Sequence, residues 1–176
     1  MSATTERLAR LPVIPVIVLD DENDAEPLAE ALLAGGLDRI EVTLRTPAAL
    51  AALGRIRRAF PEMLVGAGTV VTREQAQQCL DLGVSFAVAP GFNPETVRLF
   101  AHGGVPFVPG VLSPSEIEAA YSHGCTLQKF FPAEQAGGAA YLKSIGSPIP
   151  QVKFCPTGGI SLKNARDYLG LKTVLC

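Results

Sequence analysis

The stretch 63-MLVGAGTVVTREQAQQCLDLGVSFAV-88 contains two short apolar runs with an amphipathic segment between them. The runs 63–67 and 84–88 have the length and composition of buried strands. Thr72 precedes the sequence REQA, which is the pattern of a helix N-cap, and Gly83 follows the segment as a helix C-cap does. The stretch therefore predicts a strand–helix–strand unit, whose strands lie parallel because a helix connects them.

The same alternation recurs along the whole chain. Eight candidate strands alternate with seven helical segments, which predicts an α/β fold with a parallel sheet. This number of units favours a closed (β/α)8 TIM barrel, and no G-x-G-x-x-G motif follows the first strand to favour a dinucleotide-binding sheet. A further short helix at 5–10 is expected to close the bottom of the barrel. The strand candidates are 13–19, 39–43, 63–67, 84–88, 105–108, 124–131, 152–155 and 173–176. The helical candidates are 24–34, 47–59, 72–82, 94–102, 114–122, 138–145 and 161–169.

The length is short for such a barrel. TIM barrels have about 200 to 250 residues, whereas this chain has 176. The eighth candidate strand reaches the last residue, Cys176. We expect a single domain over residues 1–176, an incomplete (β/α)8 barrel that ends within its eighth strand and lacks the last helix.

Composition and charge exclude several classes of function. The formal net charge is -2, and no basic stripe with interleaved aromatic residues is present, which argues against nucleic-acid binding. The apolar run 13–19 contains a proline and is too short to span a membrane, and the N-terminus has no signal-peptide pattern. We expect a cytoplasmic protein with reduced cysteines. No metal is expected, because no His, Asp or Glu cluster has ligand spacing, and His102 and His123 each precede a glycine as helix-end residues do.

A carboxylate alternates with apolar residues at the second strand. In 41-EVTLRT-46 the polar residues Glu41, Thr43 and Arg45 share one face, which in a barrel points to the interior and the mouth. An interior carboxylate is a candidate general acid/base. The alternative for Glu41 is a structural ion pair with Arg45 or with a lysine.

A lysine lies within an apolar strand in 126-TLQKFFPAE-134. Burial favours the neutral amine, and a neutral Lys129 is a nucleophile that forms a Schiff base with a ketone. The alternative is a counter-ion for Glu41 or for a bound anion. Lys153 also stands three residues before a proline, so spacing alone does not choose between the two lysines.

Other candidate site residues follow the strands at the same end of the barrel. Thr69 follows two glycines that are expected to let a substrate approach the backbone, and Pro90 follows the fourth strand. Thr157, Gly158 and Gly159 are expected to lead directly into a helix N-terminus, which would bind a phosphate or a carboxylate.

The sequence resembles the KDPG/KHG aldolase family. These class I aldolases act on 2-keto-3-deoxy-6-phosphogluconate (KDPG) or on 4-hydroxy-2-oxoglutarate (KHG). The motifs that carry the resemblance run in order to the end of the chain: PVIPVIV (12–18), GGLDRIEVTLRTP (35–47), VGAGTV (65–70), AVAPGF (87–92), PFVPGVLSPSE (106–116), QKFFPAE (128–134), VKFCPTGGIS (152–161) and NARDYLGLKTVLC (164–176).

The resemblance implies a role for each candidate residue. Lys129 matches the Schiff-base lysine of the family, so no cofactor is expected, and Glu41 matches its proton shuttle. The remaining matches concern substrate binding: Arg45 and Thr69 at the pyruvyl carboxylate, Pro90, Phe131 and Thr157 at substrate contacts, and Gly158 and Gly159 as half of the phosphate site.

The resemblance also implies an activity and an assembly. The expected reaction cleaves KDPG to pyruvate and glyceraldehyde 3-phosphate, with cleavage of KHG to pyruvate and glyoxylate as a second activity, and the family is typically homotrimeric. In the family, the motif that ends in VLC continues into a glycine-serine loop and a final helix. The alternatives are therefore a truncated barrel that only binds a keto acid or phosphate, and an aldolase specific for the phosphogalactonate.

Overall fold

The strands form two parallel sheets in a computed structural model that describes residues 2–176. Sequence order equals spatial order in both sheets, which is the topology of a (β/α)8 barrel. The first sheet contains β1 (Val16–Ile17), β2 (Arg39–Thr43), β3 (Leu64–Gly68), β4 (Phe86–Val88) and β5 (Phe107–Val108). The second sheet contains β6 (Gly110–Val111), β7 (Leu127–Phe130) and β8 (Lys153–Pro156).

Five of the predicted strands are shorter in the structure. The fifth, predicted over 105–108, is reduced to β5. A further strand, β6, follows Pro109 and belongs to the second sheet, because proline has no N–H for a ladder hydrogen bond. The first is reduced to β1, which follows Pro15 and pairs only with β2 among residues 2–176. The predicted strand 173–176 forms a single parallel bridge, from Val174 to Phe154.

Helices follow the strands as the sequence predicts. Two of them begin with a complete capping box, formed by Thr72 with Gln75 and by Ser113 with Glu116. The helices are α1 (Ala3–Arg10), α2 (Ala25–Ala34), α3 (Ala49–Ala59), α4 (Arg73–Asp81), α5 (Pro94–His102), α6 (Pro114–Ser122), α7 (Gly138–Gly146) and α8 (Ala165–Leu169). Within residues 2–176, none of them combines the length and the apolar character needed to cross a membrane.

The last helix is shorter than predicted. It was expected over 161–169, but α8 begins only at Ala165. The Asn164 side chain accepts a hydrogen bond from the Ser161 amide at 2.7 Å and donates one to the Gly159 carbonyl at 3.1 Å. These bonds hold residues 160–164 in a turn and delay the helix.

The floor of the barrel is closed by α1, as predicted. Leu8 of α1 is buried in the interior cluster with Leu64, Phe86 and Val108. The buried guanidinium of Arg39 fixes this helix to β2. It donates to the carbonyl oxygens of Leu8 at 2.9 Å and Leu11 at 2.8 Å, and to the Asp38 carboxylate at 2.8 Å. The polar mouth therefore lies at the opposite end.

Several side chains with catalytic potential occupy structural positions. All four cysteines are free thiols, and burial raises the pKa of Cys79 to about 12 and that of Cys125 to about 11. His102 lies in the last turn of α5 and His123 caps α6, as predicted. Across residues 2–176, no group of three His, Cys, Asp or Glu side chains is arranged to hold a metal ion.

Candidate active site

Two buried charged residues from different sheets meet inside the barrel mouth. Lys129 of β7 and Glu41 of β2 are only 4% and 3% exposed, and Lys129 Nζ lies 3.7 Å from Glu41 Oε1. This distance is an ion-pair contact but is too long for a hydrogen bond. Glu41 Oε1 accepts no hydrogen bond from residues 2–176. A buried acceptor without a donor is costly, so this oxygen is a candidate for a role in chemistry.

Glu41 points inward because of the two-residue period of β2, as predicted. Its neighbours Ile40 and Val42 pack outward into the hydrophobic cluster of the first sheet. Gly68 of β3 provides the space for the carboxylate, since a Cβ at that position would lie 2.2 Å from Glu41 Oε1.

The glycines before Thr69 have a packing role that the sequence did not indicate. Their expected role, to let a substrate approach the backbone, stays a prediction. Gly68 makes room for Glu41, and Gly66 makes room for the Phe86 ring, which a Cβ would meet at 2.2 Å. The close packing of the interior against β3 requires glycine at both positions.

Burial determines the protonation behaviour of Glu41. Removal from water raises the pKa of this carboxyl above its ordinary value, while the charges of Lys129 and Arg45 act in the opposite direction. A carboxyl that takes up a proton more readily than one in water is suited to proton transfer near neutral pH.

The surroundings of Lys129 distinguish it from Lys153. Its Nζ lies 5.1 Å from the centroid of the Phe131 ring, within cation–π distance. Lys153 starts β8 and is paired in register with Leu127, further from the mouth. Its ammonium donates to the Lys172 carbonyl at 2.8 Å. Of the two lysines, Lys129 therefore has the buried position next to a carboxylate.

Arg45 and Thr69 come together at the ends of β2 and β3. Arg45 Nε donates to Thr69 Oγ1 at 3.3 Å, and the guanidinium is exposed at the mouth. Thr69 has a φ of +60°, which is rare for a residue with a branched side chain and recurs at functional sites. An exposed guanidinium at the mouth is suited to a carboxylate ligand.

The segment after β8 forms a turn rich in free amides. Gly158 and Gly159 have φ values of +103° and +75°, which favour glycine. Among residues 2–176 the amides of Gly158, Gly159 and Ile160 find no acceptor. Because α8 starts at Ala165, the expectation that this turn leads directly into a helix is wrong. The free amides alone make it a candidate anion site.

Pro90 and Thr157 border this arrangement. The Pro90 carbonyl packs so closely on Gly110 that a Cβ there would lie 2.0 Å from its oxygen, and Gly110 is the register partner of Lys129. The Thr157 amide donates to the Phe130 carbonyl at 2.9 Å. Pro90 therefore adjoins the Lys129 strand through the backbone, and Thr157 joins the ends of β7 and β8.

The sequence as a whole matches one family model, described as KDPG and KHG aldolase, over residues 4–176. The chain belongs to this family. It is 47% identical over 170 residues to a 2-dehydro-3-deoxy-phosphogluconate aldolase of Treponema pallidum, a match that covers 97% of this chain and 81% of that protein. It is 46% identical over 165 residues to a KHG/KDPG aldolase of Escherichia coli, with 94% and 78% covered.

A solved structure extends the comparison to the fold. The KDPG aldolase of Legionella pneumophila, crystallised with pyruvate captured as a covalent carbinolamine, superposes with a TM-score of 0.95 at 47% identity. The match covers 99% of this chain and 85% of that one. The predicted barrel fold and the predicted family are confirmed.

Two residues near the glycine turn were missed at the sequence level. The Tyr168 hydroxyl of α8 donates a hydrogen bond to the Glu134 carboxylate, and the Glu134 amide donates to the Gly158 carbonyl at 3.1 Å. Glu134 follows β7 in the motif QKFFPAE, so its proximity to the strand end is a usable signal. Tyr168 is 34 residues away in sequence, and no local pattern indicates the contact.

Proposed function

We propose that this protein is a class I aldolase that cleaves KDPG to pyruvate and glyceraldehyde 3-phosphate, with KHG as a second substrate. The observation that carries the proposal is the buried Lys129–Glu41 pair, at 3.7 Å, in which Glu41 Oε1 has no hydrogen-bond donor within residues 2–176. The names of the relatives that share 46 and 47% of their residues with this chain support it.

Lys129 carries out the first half of the reaction, the formation of the Schiff base. The neutral amine attacks the C2 ketone and forms a carbinolamine, and loss of the hydroxyl as water gives an iminium ion. The iminium nitrogen draws the electron pair of the C3–C4 bond and so supplies the electron sink. No metal ion or organic cofactor is required for this step.

The second half requires a group that moves protons, and we assign it to Glu41. Its carboxylate takes the proton of the C4 hydroxyl, directly or through one water, as the C3–C4 bond breaks and the aldehyde leaves. The remaining enamine receives that proton at C3, and water hydrolyses the iminium to pyruvate and free Lys129. The raised pKa of Glu41 suits a group that both accepts and returns a proton.

Substrate orientation follows from the charges at the mouth. Arg45, held by Thr69, is proposed to bind the pyruvyl carboxylate. Phe131, Pro90 and Thr157 are proposed to contact the carbon chain between the two anionic ends. The free amides of the turn at Gly158 and Gly159 are proposed to receive the phosphate.

The family resemblance carries further predictions about the molecule as a whole. Residues 1–176 are predicted to act as one domain, to assemble as a homotrimer and to work in the cytoplasm on a small keto-acid phosphate. Native mass spectrometry tests the assembly, and a dominant monomer or dimer would contradict the homotrimer.

Trapping with borohydride tests the nucleophile. The protein is incubated with pyruvate, reduced with borohydride and digested, and the modified peptide is located by mass spectrometry. A reduced pyruvyl adduct on Lys129 is expected. An adduct on Lys153, or no adduct at all, would refute the assignment of the nucleophile.

Product release tests the substrate. Pyruvate formation is measured from KDPG, from its C4 epimer with the galactonate configuration, and from KHG. Faster cleavage of KDPG than of the epimer is expected. Preference for the epimer would identify a phosphogalactonate aldolase, and an adduct without cleavage of any of the three would identify a barrel that only binds keto acids.

A further inference from the structure

Tyr168 is a buried tyrosine whose hydroxyl reaches the loop after β7. The side chain is 2% exposed and packs in the hydrophobic cluster of the second sheet, and its hydroxyl donates to Glu134. Burial and the Glu134 carboxylate raise the pKa of the Tyr168 hydroxyl, so it stays a protonated donor. Packing alone needs only the ring. The hydroxyl therefore has a separate task, which is to hold Glu134.

Glu134 forms one wall of the glycine turn. The amides of Ala133 and Glu134 donate to the carbonyls of Thr157 at 2.8 Å and Gly158 at 3.1 Å. A Cβ at Gly159 would lie 2.7 Å from Glu134 Cβ and 2.8 Å from its Cγ. The turn therefore rests on both the backbone and the side-chain stem of Glu134, and a shift of Glu134 must shift the turn.

The contacts to the turn also decide which of its groups remain free. The Glu134 amide donates a hydrogen bond to the Gly158 carbonyl, and Asn164 Nδ2 donates one to the Gly159 carbonyl at 3.1 Å. With both carbonyls held from the protein side, the amides of Gly158, Gly159 and Ile160 are left for an anion. Glu134 lies five residues after Lys129, so the same loop joins the nucleophile to the turn.

We propose that Tyr168, through Glu134, positions the Gly158–Gly159 turn so that it receives the phosphate end of the substrate at a fixed distance from Lys129. The inference rests on the proposed function, because it assigns the phosphate to that turn. Neither Tyr168 nor Glu134 touches the reacting atoms, so both are positioning residues.

The test compares two substrates that differ only in the phosphate. KM and kcat are measured for KDPG and for 2-keto-3-deoxygluconate, in the wild type and in Tyr168→Phe. Tyr168→Phe is expected to raise KM for KDPG about tenfold, the effect of one hydrogen bond to a charged group. KM for the phosphate-free substrate, kcat and the rate of pyruvate trapping are expected to stay unchanged.

Tyr141→Phe is the matched control, because Tyr141 also donates its hydroxyl to a single acceptor, the Leu112 carbonyl at 3.2 Å. It is expected to change neither KM. If Tyr168→Phe raises KM equally for both substrates, or lowers kcat for both, the tyrosine supports the fold only and the proposal is wrong.

Variants at Glu134 give a second test that does not disturb the core, since this side chain is exposed. Glu134→Gln keeps an oxygen that accepts from Tyr168 and is expected to keep KM for KDPG within about threefold. Glu134→Ala is expected to match Tyr168→Phe. Equal losses in the Gln and Ala variants would show that the hydrogen bond is not what positions the turn.

Hydrogen–deuterium exchange separates this inference from the proposed function. The amides of Ala133 and Glu134, which donate to the carbonyls of the turn, are expected to exchange faster in Tyr168→Phe than in Tyr141→Phe, whatever substrate the protein cleaves. Unchanged exchange would overturn the positioning role. Faster exchange without cleavage of KDPG by the wild type would leave the positioning of the turn intact and overturn the phosphate assignment and the proposed function.

Discussion

Arg39 and Glu41 lie two residues apart on β2, face the same barrel interior and are almost completely buried, yet their surroundings differ. Arg39, at the floor, donates to the carbonyls of Leu8 and Leu11 and to the Asp38 carboxylate. Glu41, near the mouth, has one lysine at 3.7 Å and an oxygen without a hydrogen-bond donor in residues 2–176. One strand thus carries a charged group whose hydrogen bonds are made and a charged group that lacks a hydrogen-bond donor.

The hydrogen bonds of a buried charge indicate its role. A charge whose hydrogen bonds are all made joins two elements, as Arg39 joins α1 to β2. A charge left partly unpaired costs about 1–3 kcal/mol of stability per missing partner. Such a cost is retained at sites where a substrate or a proton supplies the missing partner.

Loss of the Lys129 amine, the ion-pair partner of Glu41, should reduce activity more than any other change. Lys129→Met keeps the length of the side chain and removes the amine, so retro-aldol activity should fall by at least about 10⁴-fold, as for loss of a covalent nucleophile. Borohydride should then trap no pyruvate. Lys153→Met is the control and should retain both the retro-aldol activity and the trapping of pyruvate. Wild-type turnover in Lys129→Met would contradict the assignment of Lys129 as the nucleophile.

Glu41→Gln tests whether the carboxyl on the same strand as Arg39 transfers a proton. The amide fills the same space but transfers no proton, so kcat should fall about 10²- to 10⁴-fold. Steady-state assays of KDPG cleavage measure the loss. A kcat within threefold of wild type would show that Glu41, like Arg39, has a structural role only.

The pH dependence of stability tests the same carboxyl by a route independent of activity. Burial raises the pKa of Glu41 above its ordinary value of 4.5, so the folded state favours the protonated form. Relative to Glu41→Gln, the wild type should lose stability as the pH rises through the raised pKa of Glu41. Thermal melting of both proteins at about pH 4 and about pH 8 measures this loss. A wild type that becomes more stable relative to Glu41→Gln as the pH rises would contradict the prediction.

Arg39→Met should act on stability instead of chemistry. It leaves the Leu8 and Leu11 carbonyls without their donor, which should cost about 2–4 kcal/mol of unfolding free energy. The kcat/KM per folded molecule should stay within about threefold. Urea unfolding measures the cost, with Arg58→Met on the exposed face of α3 as the control. Equal stabilities of the two variants would show that the hydrogen bonds of Arg39 do not stabilise the fold.

Substitution of Thr69 should change activity and stability only slightly. Thr69→Gly relieves the positive φ but removes the hydroxyl that accepts from Arg45, so KM for KDPG should rise about 3- to 10-fold while stability changes by less than about 1 kcal/mol. Thr69→Ser keeps the hydroxyl and should keep KM. If both variants bind alike, the hydroxyl does not position Arg45.

Features set by short-range periodicity could be predicted from the sequence. The two-residue period of the strands placed Glu41 and Lys129 inside, and cap patterns placed most helices within one or two residues of their bounds. The choice of Lys129 over Lys153 needed either the family resemblance or the structure. Both lysines precede a proline by the same spacing, and only the register of β8 separates their depths in the barrel.

Features set by contacts between residues distant in the chain could not be predicted from the sequence. The Tyr168–Glu134 bond and the space that Gly68 gives to Glu41 each join residues more than 25 apart in sequence. The late start of α8 depends on the side-chain bonds of Asn164, which compete with the first helical turn.

The division of the strands into two sheets has a consequence for how activity arises. Glu41 belongs to the sheet that ends at Val108, and Lys129 to the sheet that begins at Gly110. Neither half of the polypeptide carries both of the residues that we propose to react. Turnover is therefore expected to report on the assembly of the two halves, and in a protein cleaved at Pro109 activity would require the two fragments to associate.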